Sequence, residues 1–373
     1  MKTSEIIVFI VYLLCMLGIG IFFFVKNRNG GEKTYFLGGR EMGPWVAALS
    51  AGASDMSAWV LMGLPTSIYA LGLGQVWIPV GLAIGYTISW LLEAPRLRKF
   101  SIVANDSITI PQYLTNRFLS KSLALQVICA IVFLVAYTIY AASSVKACGT
   151  LFHTVIGMDP QIAMYLAAVV IVGYTFLGGF SAVCWTDFFQ GMLVLGSMFI
   201  APIFAAFMLD TSSMSALPGG YLNPFSSWQD IVSGLAWGLG YFGMPHILVR
   251  FMAIRDPQEV KKSRNIAMIW VLISLSVAVC IGFTGAALYP NVAENGNQRI
   301  FIYMTTHLFK GLIPLFMAGV ILSGILAATM STSDSQLLIA SSCVSKNLFQ
   351  GLFKKEMSEE KVLLVSRITT IVI

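Results

Sequence analysis

The residues Ala48–Gly63 read ALSAGASDMSAWVLMG, and this stretch decides what kind of fold the chain can adopt. It lies within a long apolar segment, yet it carries the carboxylate of Asp55. Burying a carboxylate in a membrane costs free energy, so such a group usually has a partner or a function. A local unwinding that frees carbonyl oxygens for a cation is expected here, because the helix is weakened by the small residues Ser50, Gly52, Ala53 and Ser54. The alternative is a carboxylate that only holds the end of a neighbouring helix.

The composition places this stretch in a membrane protein. Of the 373 residues, 57% are hydrophobic and 11% are charged, whereas about a quarter of a soluble domain is charged. A disordered, collagen-like or ordinary soluble protein is therefore excluded. The six cysteines form no C-x-x-C pair, and we expect them to be small buried hydrophobic residues.

Long apolar runs predict the membrane-spanning helices, because about 20 residues are needed to cross a hydrocarbon core. A tenth run begins near Val362, and the sequence ends inside it. The nine runs before it are Ile6–Val25, Trp45–Tyr69, Val76–Leu92, Leu123–Ala142, Ala163–Gly178, Phe188–Met208, Ile231–Ile247, Ile266–Leu288 and Ile313–Ala340.

The basic residues predict the orientation. Most of the 23 Lys and Arg residues lie in the connections after the first, third, seventh and ninth runs. Basic loops stay on the cytoplasmic side, so we expect the N-terminus outside. The connections are too short for a soluble domain, and we predict one transmembrane domain over residues 1–373 that is not an enzyme.

Two further runs break the apolar pattern. The ninth contains ILSGILAATMSTSDSQLLIASS from Ile321, in which Ala328, Ser331, Thr332 and Ser335 share one helix face. Hydroxyl and carbonyl oxygens suit a hard cation such as Na⁺, although hydroxyls are equally common as links between membrane helices. The seventh contains GLAWGLGYFGMPHILVR from Gly234, where glycines and Pro245 predict a broken helix. Its Trp237 and Tyr241 would face a substrate, or alternatively the membrane interface.

Interruptions in the second and seventh runs, five helices apart, are the pattern of an inverted repeat with a site at the midplane. Direct residue repetition between the halves is not visible. A channel would show a continuous polar stripe on several helices, and here the polar groups are concentrated at points. A membrane enzyme is disfavoured because the three histidines, His153, His246 and His307, have no metal-ligand spacing.

Four motifs in order resemble the sodium/solute symporter family, and most closely its members that carry proline. They are ASDMS at Ala53–Ser57, YTFLGGFSAVCWTDFFQG at Tyr174–Gly191, WGLGYFGMPHILVRFMAI at Trp237–Ile254 and AATMST at Ala327–Thr332. The resemblance implies an all-α LeuT-type fold with an extra N-terminal helix. Helices 2–6 would be the first repeat and helices 7–10 an incomplete second one, since the family has about thirteen helices. Ala58 and Met244 stand where glycine and glutamine are usual among these proline carriers.

The resemblance also implies the binding residues. Na⁺, the coupling ion, would be held by Ala53, Asp55, Met56, Ala328, Ser331 and Thr332. A second sodium site or a release path would use Asp187, Asp334 and Ser335. The solute, proline by this likeness, would contact Ser57, Tyr140, Trp237 and Tyr241.

The implied function is secondary active transport across the bacterial plasma membrane, in which inward movement of Na⁺ drives uptake of the solute. No nucleic acid or obligate protein partner is expected. Two alternatives stay open at this point. The chain could carry another small solute such as pantothenate, or it could be a symporter-like membrane region that serves as a sensor.

Overall fold

The computed structural model describes residues 3–210, 213, 215, 217–290, 292, 300–308, 315–350 and 358–373. These residues form helices, and the isolated bridge between Met42 and Ile254 is the one extended pairing found among them. The helices are α1 (Thr3–Lys26), α2 (Glu32–Leu37), α3 (Pro44–Ala58), α4 (Leu64–Leu71), α5 (Trp77–Ile88), α6 (Ala94–Val103), α7 (Ile110–Arg117), α8 (Ala124–Ile156), α9 (Pro160–Met208), α10 (Trp228–Ala236), α11 (Pro245–Ala253), α12 (Val260–Leu288), α13 (Ile300–Leu308), α14 (Leu315–Ser342) and α15 (Glu359–Val372).

Several of these helices are parts of longer rods. A π-helical turn, Trp59–Gly63, joins α3 to α4, and another, Ser89–Glu93, joins α5 to α6. A 3₁₀ segment, Trp237–Gly243, leads from α10 into α11, and the two arms are bent by 49°. Within the described residues, five helices are long and apolar enough to cross a membrane, and this bent pair makes a sixth candidate.

One of those five, α9, contains two of the predicted spans. Its 49 residues would be about 74 Å long if straight, more than twice the hydrocarbon thickness. At Gly179, φ is 57° and ψ is −152°, which interrupts the helix. The chain reverses there, as its contacts with α1 show. Before the break, Gly173 lies beside Leu17 and Gly178 beside Phe23. After it, Trp185 stacks near Phe23, whereas Gln190 hydrogen-bonds to Tyr12.

The predicted boundaries need correction at this reversal. The sequence predicted spans over Ala163–Gly178 and Phe188–Met208 with a connecting loop, but residues 180–187 are helical. The second span therefore resumes directly after Gly179, because a glycine in this unusual backbone conformation makes the turn alone. This shift brings Asp187 inside the helix bundle.

The predicted ninth span, which is rich in Ser and Thr, lies at the centre of the fold. Helix α14 packs against α9, α8 and α3, and nearly all of its described side chains are buried, hydroxyl residues included. Its Ser and Thr residues therefore face protein, which is why its composition is less apolar than that of a lipid-facing helix. Residues 313 and 314, at the start of the predicted ninth span, lie outside the described residues.

Candidate functional site

Two interrupted helices meet at the middle of the bundle. In the first, Ser57 has φ 47° and ψ −174°, so regular α-helix ends there and the π-helical turn follows. In the second, Met244 is extended, with φ −82° and ψ 98°, between the 3₁₀ segment and Pro245. The sequence predicted both interruptions, but it placed the first among Ser50–Ser54, which are helical. The break lies instead after Asp55.

A cavity of about 880 Å³ lies between these two breaks and α8. Its deep end is lined by Asp55, Ser57 and His246, and its walls continue along α4 to Leu71. Leu71 is the end of α4 that lies on the same side of the bundle as the N-terminus. The cavity therefore extends from the helix breaks to that side. At its base the hydroxyl of Tyr137 and Nδ1 of His246 are 2.7 Å apart, and both side chains are buried.

All four residues predicted to contact the solute line this cavity: Ser57, Tyr140, Trp237 and Tyr241. The indole of Trp237 stacks on that of Trp59, with 5.1 Å between the ring centroids and 23° between the planes. The phenol of Tyr241 packs edge-on against Tyr86. The deep part of the cavity thus combines aromatic faces with a few polar groups, as is usual for a small-molecule site.

Asp55 joins the two interrupted helices across the cavity. Its Oδ2 accepts a hydrogen bond of 2.5 Å from the hydroxyl of Tyr241, which is itself only 1% exposed. The carboxylate therefore has the partner that its position demanded. This hydrogen bond connects α3 to the 3₁₀ segment, and so links the two interrupted helices directly.

A cluster of oxygens joins α3 to α14 beside the first break. The hydroxyl of Ser331 lies 2.8 Å from the carbonyl oxygen of Ala53 and 3.2 Å from that of Ala328. The hydroxyl of Thr332 lies 3.1 Å from the Ala328 carbonyl oxygen. All four residues are buried. A hard monovalent cation prefers neutral oxygen ligands with little fixed charge nearby. Hydroxyl and carbonyl oxygens within about 3 Å of each other, close to one carboxylate, fit this requirement.

The remaining predicted sodium ligand, Met56, lies at the end of α3 beside this cluster. Its carbonyl oxygen accepts the backbone N–H of Trp59, which closes the end of α3. The same N–H lies 3.1 Å from the hydroxyl of Ser57. The structure thus brings Ala53, Ala328, Ser331 and Thr332 into one cluster, with Met56 at the adjoining helix end and Asp55 facing the cavity.

A second buried polar cluster surrounds Arg250. Its guanidinium donates to Asp187 Oδ2, Ser335 Oγ and Ser50 Oγ, each at 2.6 Å. Ser335 also donates to Asp334, whose other carboxylate oxygen accepts from Tyr174. The formal charges of Arg250, Asp187 and Asp334 sum to one negative charge. Oδ1 of Asp187 and Oε1 of Gln190 are buried with no hydrogen-bond donor found among the described residues.

The predicted residues Asp187, Asp334 and Ser335 therefore lie together, but sequence reasoning missed the arginine that joins them. It assigned Arg250 to a basic loop after a helix ending at Ile247, whereas α11 continues to Ala253 and Arg250 is 2% exposed. The sequence does contain a signal for this burial. Arg250 lies within the apolar stretch HILVRFMAI, and a charge buried among apolar residues needs a partner of opposite charge. Arg40 and Arg98, also assigned to loops, are buried too.

Known sequences match this chain over nearly its whole length. The sodium:solute symporter family profile matches residues 35–373. The sodium/proline symporter of Salmonella typhimurium is 38% identical over 100% of this chain and 76% of its own. The high-affinity proline transporter of Bacillus subtilis is 40% identical over 96% of this chain and 76% of its own.

Solved structures agree on the fold. A Na⁺-coupled sialic acid symporter, in its substrate-bound outward-open state, superposes with a TM-score of 0.84 at 21% identity. That match covers 100% of this chain and 80% of the other. A nucleobase-cation-symport-1 family transporter gives a TM-score of 0.56 at 16% identity, over 91% and 72% of the two chains. The LeuT-type fold predicted from the sequence is therefore confirmed.

Proposed function

The chain belongs to the sodium:solute symporter family, and we propose that it couples inward Na⁺ movement to the uptake of L-proline. Proline is the solute named for relatives at 38% and 40% identity that align with nearly the whole chain. The observation that carries the proposal is the junction of α3 and α14, where Ser331 and Ala53 oxygens lie 2.8 Å apart beside the helix break that lines the solute cavity. Na⁺ and solute would therefore bind to opposite sides of the same few residues.

In this mechanism Na⁺ binds first, between α3 and α14, using the carbonyls of Ala53, Met56 and Ala328 and the hydroxyls of Ser331 and Thr332. The ion fixes the end of α3, and Ser57 and Asp55 thereby take up one arrangement toward the cavity. Proline would then bind among Tyr140, Trp237 and Tyr241. Its carboxylate would meet the free backbone N–H groups of the interrupted helices, and its ring the aromatic faces. Asp334, Asp187 and Ser335 would provide a second cation site or the release path.

Coupling requires that both ligands favour the same conformational change, and the effect of each on the other must be equal. The cavity opens toward the N-terminal side, which we place outside the cell on the strength of the basic loops. Each Na⁺ that enters gains about 2.3 kcal/mol per 100 mV of membrane potential, in addition to its concentration gradient. No covalent chemistry is needed.

The test is radiolabelled proline binding to the purified chain in Na⁺ and in K⁺ at equal ionic strength, with pantothenate and choline as competitors. We expect saturable binding in Na⁺ alone, displaced by unlabelled proline and by neither competitor. Displacement by pantothenate would assign another solute to the same scaffold. Equal binding in K⁺ would contradict the coupling to sodium.

A further inference from the structure

A second cavity, distinct from the solute cavity, opens on the side of the bundle that carries most of the basic residues. It has a volume of about 370 Å³ and lies between the end of α1, the start of α2, the reversal of α9 at Gly179 and the first half of α15. The proposed transport cycle uses none of its side chains. Its position, at helix ends and open to the bundle surface, is the level of lipid headgroups.

Among the residues that the structure describes, the charged groups lining this cavity are Arg28, Arg367 and Glu360. None of them forms an ion pair with another of the described residues. Nε of Arg367 is buried and has no hydrogen-bond acceptor among those residues. A guanidinium carries five N–H donors and is well suited to binding a phosphate with two parallel hydrogen bonds. The cavity therefore presents two guanidinium groups that form no ion pair with the described residues.

Aromatic rings hold Arg367 in place. Its guanidinium carbon is 5.5 Å from the ring centroid of Phe24 and 5.8 Å from those of Tyr35 and Phe176. Such cation–π contacts fix the guanidinium without neutralising its charge. A bound anion would therefore meet a donor whose position is already determined, and less conformational entropy would be lost on binding.

The walls of the cavity are apolar next to these charges. Phe24, Leu177, Leu363 and Leu364 line it, and Leu364 is 58% exposed on the bundle surface. An acyl chain could lie along this surface while its headgroup enters the cavity. The charges also select the ligand: two guanidinium groups and one carboxylate leave one positive charge, which a single phosphodiester balances. A zwitterionic headgroup would leave it unbalanced.

We propose that this cavity binds the phosphodiester of one anionic phospholipid, with an uncharged remainder of the headgroup as in phosphatidylglycerol. Arg28 and Arg367 hold the phosphate, and the acyl chain follows Leu363 and Leu364 into the membrane. The lipid would join α1, the reversal of α9 and α15, three segments that are distant in sequence.

The experiment is native mass spectrometry of the full purified chain titrated with phosphatidylglycerol or with phosphatidylcholine of the same acyl composition. The variants are Arg28→Gln and Arg367→Gln, with Arg96→Gln as the matched control. Arg96 is an exposed arginine at the same basic side but outside the cavity. Inorganic phosphate is added in a separate arm.

We expect one phosphatidylglycerol to remain bound to the unchanged chain and to Arg96→Gln, with its half-saturating concentration raised about fivefold in each cavity variant. Arg28 is exposed, so Arg28→Gln remains informative if Arg367→Gln fails to fold. Equal retention of phosphatidylcholine, or an equal loss in Arg96→Gln, would overturn the proposal. Displacement of the lipid by millimolar inorganic phosphate would assign the site to free phosphate and overturn the lipid assignment.

Discussion

Asp55 is placed to affect both Na⁺ binding and solute binding. It is next in the chain to the residues of the proposed sodium site, and its carboxylate accepts a hydrogen bond from Tyr241 in the cavity. In an Asp55→Asn variant the amide oxygen can still accept the tyrosine hydrogen bond, but the negative charge is lost. We expect the half-saturating Na⁺ concentration to rise at least about tenfold, which corresponds to an attraction of only about 1.4 kcal/mol. Proline affinity at saturating Na⁺ should change much less. The measurement is proline binding across a Na⁺ titration.

Tyr241→Phe is the complementary variant, because it removes the hydrogen bond and keeps the charge. It should weaken proline binding at saturating Na⁺ more than it shifts the Na⁺ dependence. If Asp55→Asn leaves the Na⁺ dependence unchanged, the carboxylate has no part in cation binding and the role assigned to it is wrong.

Ser331 and Ser333 offer a comparison within one helix. Both are fully buried, but the Ser331 hydroxyl reaches the Ala53 carbonyl of α3, whereas Ser333 bonds to its own helix at Thr329. Ser331→Ala should raise the half-saturating Na⁺ concentration about fivefold or more, from the loss of one oxygen ligand. Ser333→Ala should leave it unchanged. Sodium-dependent protection against thermal unfolding measures both, and equal shifts in the two variants would contradict a ligand role for Ser331.

At the scale of helices, the sequence predicted which elements are interrupted, although it did not locate each break. Small residues and glycines indicate where a helix is weak, and Asp55 and Pro245 marked the correct two rods. The sequence alone could not locate the break at Ser57, because by helix propensity the small residues before it are equally suitable positions for a break. Packing decides instead: Gly52 lies so close to Trp270 of α12 that a side chain there would clash, and the helix is held through this contact.

Arg250 shows a second limit of sequence reading. Its partner Asp187 is 63 residues away on another helix, so nothing local to HILVRFMAI shows that the charge is neutralised inside the bundle. A positive residue near a predicted helix end is more often a loop residue, and for this reason the sequence places Arg250 in a loop. By contrast, the face formed by Ala328, Ser331, Thr332 and Ser335 follows from helical periodicity alone, and the structure does bring it against α3 and Arg250.

The reversal of α9 depends on one glycine. At Gly179 the backbone has φ 57°, and an added Cβ would lie 2.7 Å from the ring of Tyr35 and 2.8 Å from its carbonyl oxygen. Gly179→Ala should therefore lower the free energy of unfolding by about 1–3 kcal/mol for the backbone strain alone, with the clash in addition. Gly196→Ala is the matched control in the same helix, because a Cβ there meets no atom within 4 Å.

Thermal unfolding in detergent compares the two variants, with the control expected to be neutral or slightly stabilised, by at most about 1 kcal/mol. A Gly179→Ala protein as stable as the control would show that α9 does not reverse by a glycine-specific conformation. The consequence reaches the polar cluster, since Asp187 is positioned two turns after this reversal.

At the scale of the whole molecule, the described residues are arranged so that the solute cavity is open on one side and closed on the other. The open side lies along α4 and α8, where Ser143 is exposed at the cavity wall. Opposite it, the path below Tyr137 and His246 is filled by the buried cluster of Arg250, Asp187, Ser50 and Ser335. Alternating access requires this asymmetry to invert during the cycle.

A cysteine placed at Ser143 tests that arrangement and the orientation together. In right-side-out vesicles, Ser143→Cys should react with a membrane-impermeant maleimide, because the cavity opens toward the side we place outside. Na⁺ and proline together should slow the labelling several-fold by favouring closure, whereas proline in K⁺ should not, since the two ligands act on one equilibrium.

Ser122→Cys, exposed in the basic connection before α8, should react only after the vesicles are opened. The unsubstituted chain, with its six native cysteines, gives the background. Labelling of Ser122→Cys in sealed vesicles would reverse the orientation, and labelling of Ser143→Cys that is indifferent to Na⁺ with proline would mean that these ligands do not drive closure. The cavity, the proposed sodium site and the buried arginine network are thus joined in one prediction, because closure over Ser143 can follow sodium only if α3 transmits the effect of the ion.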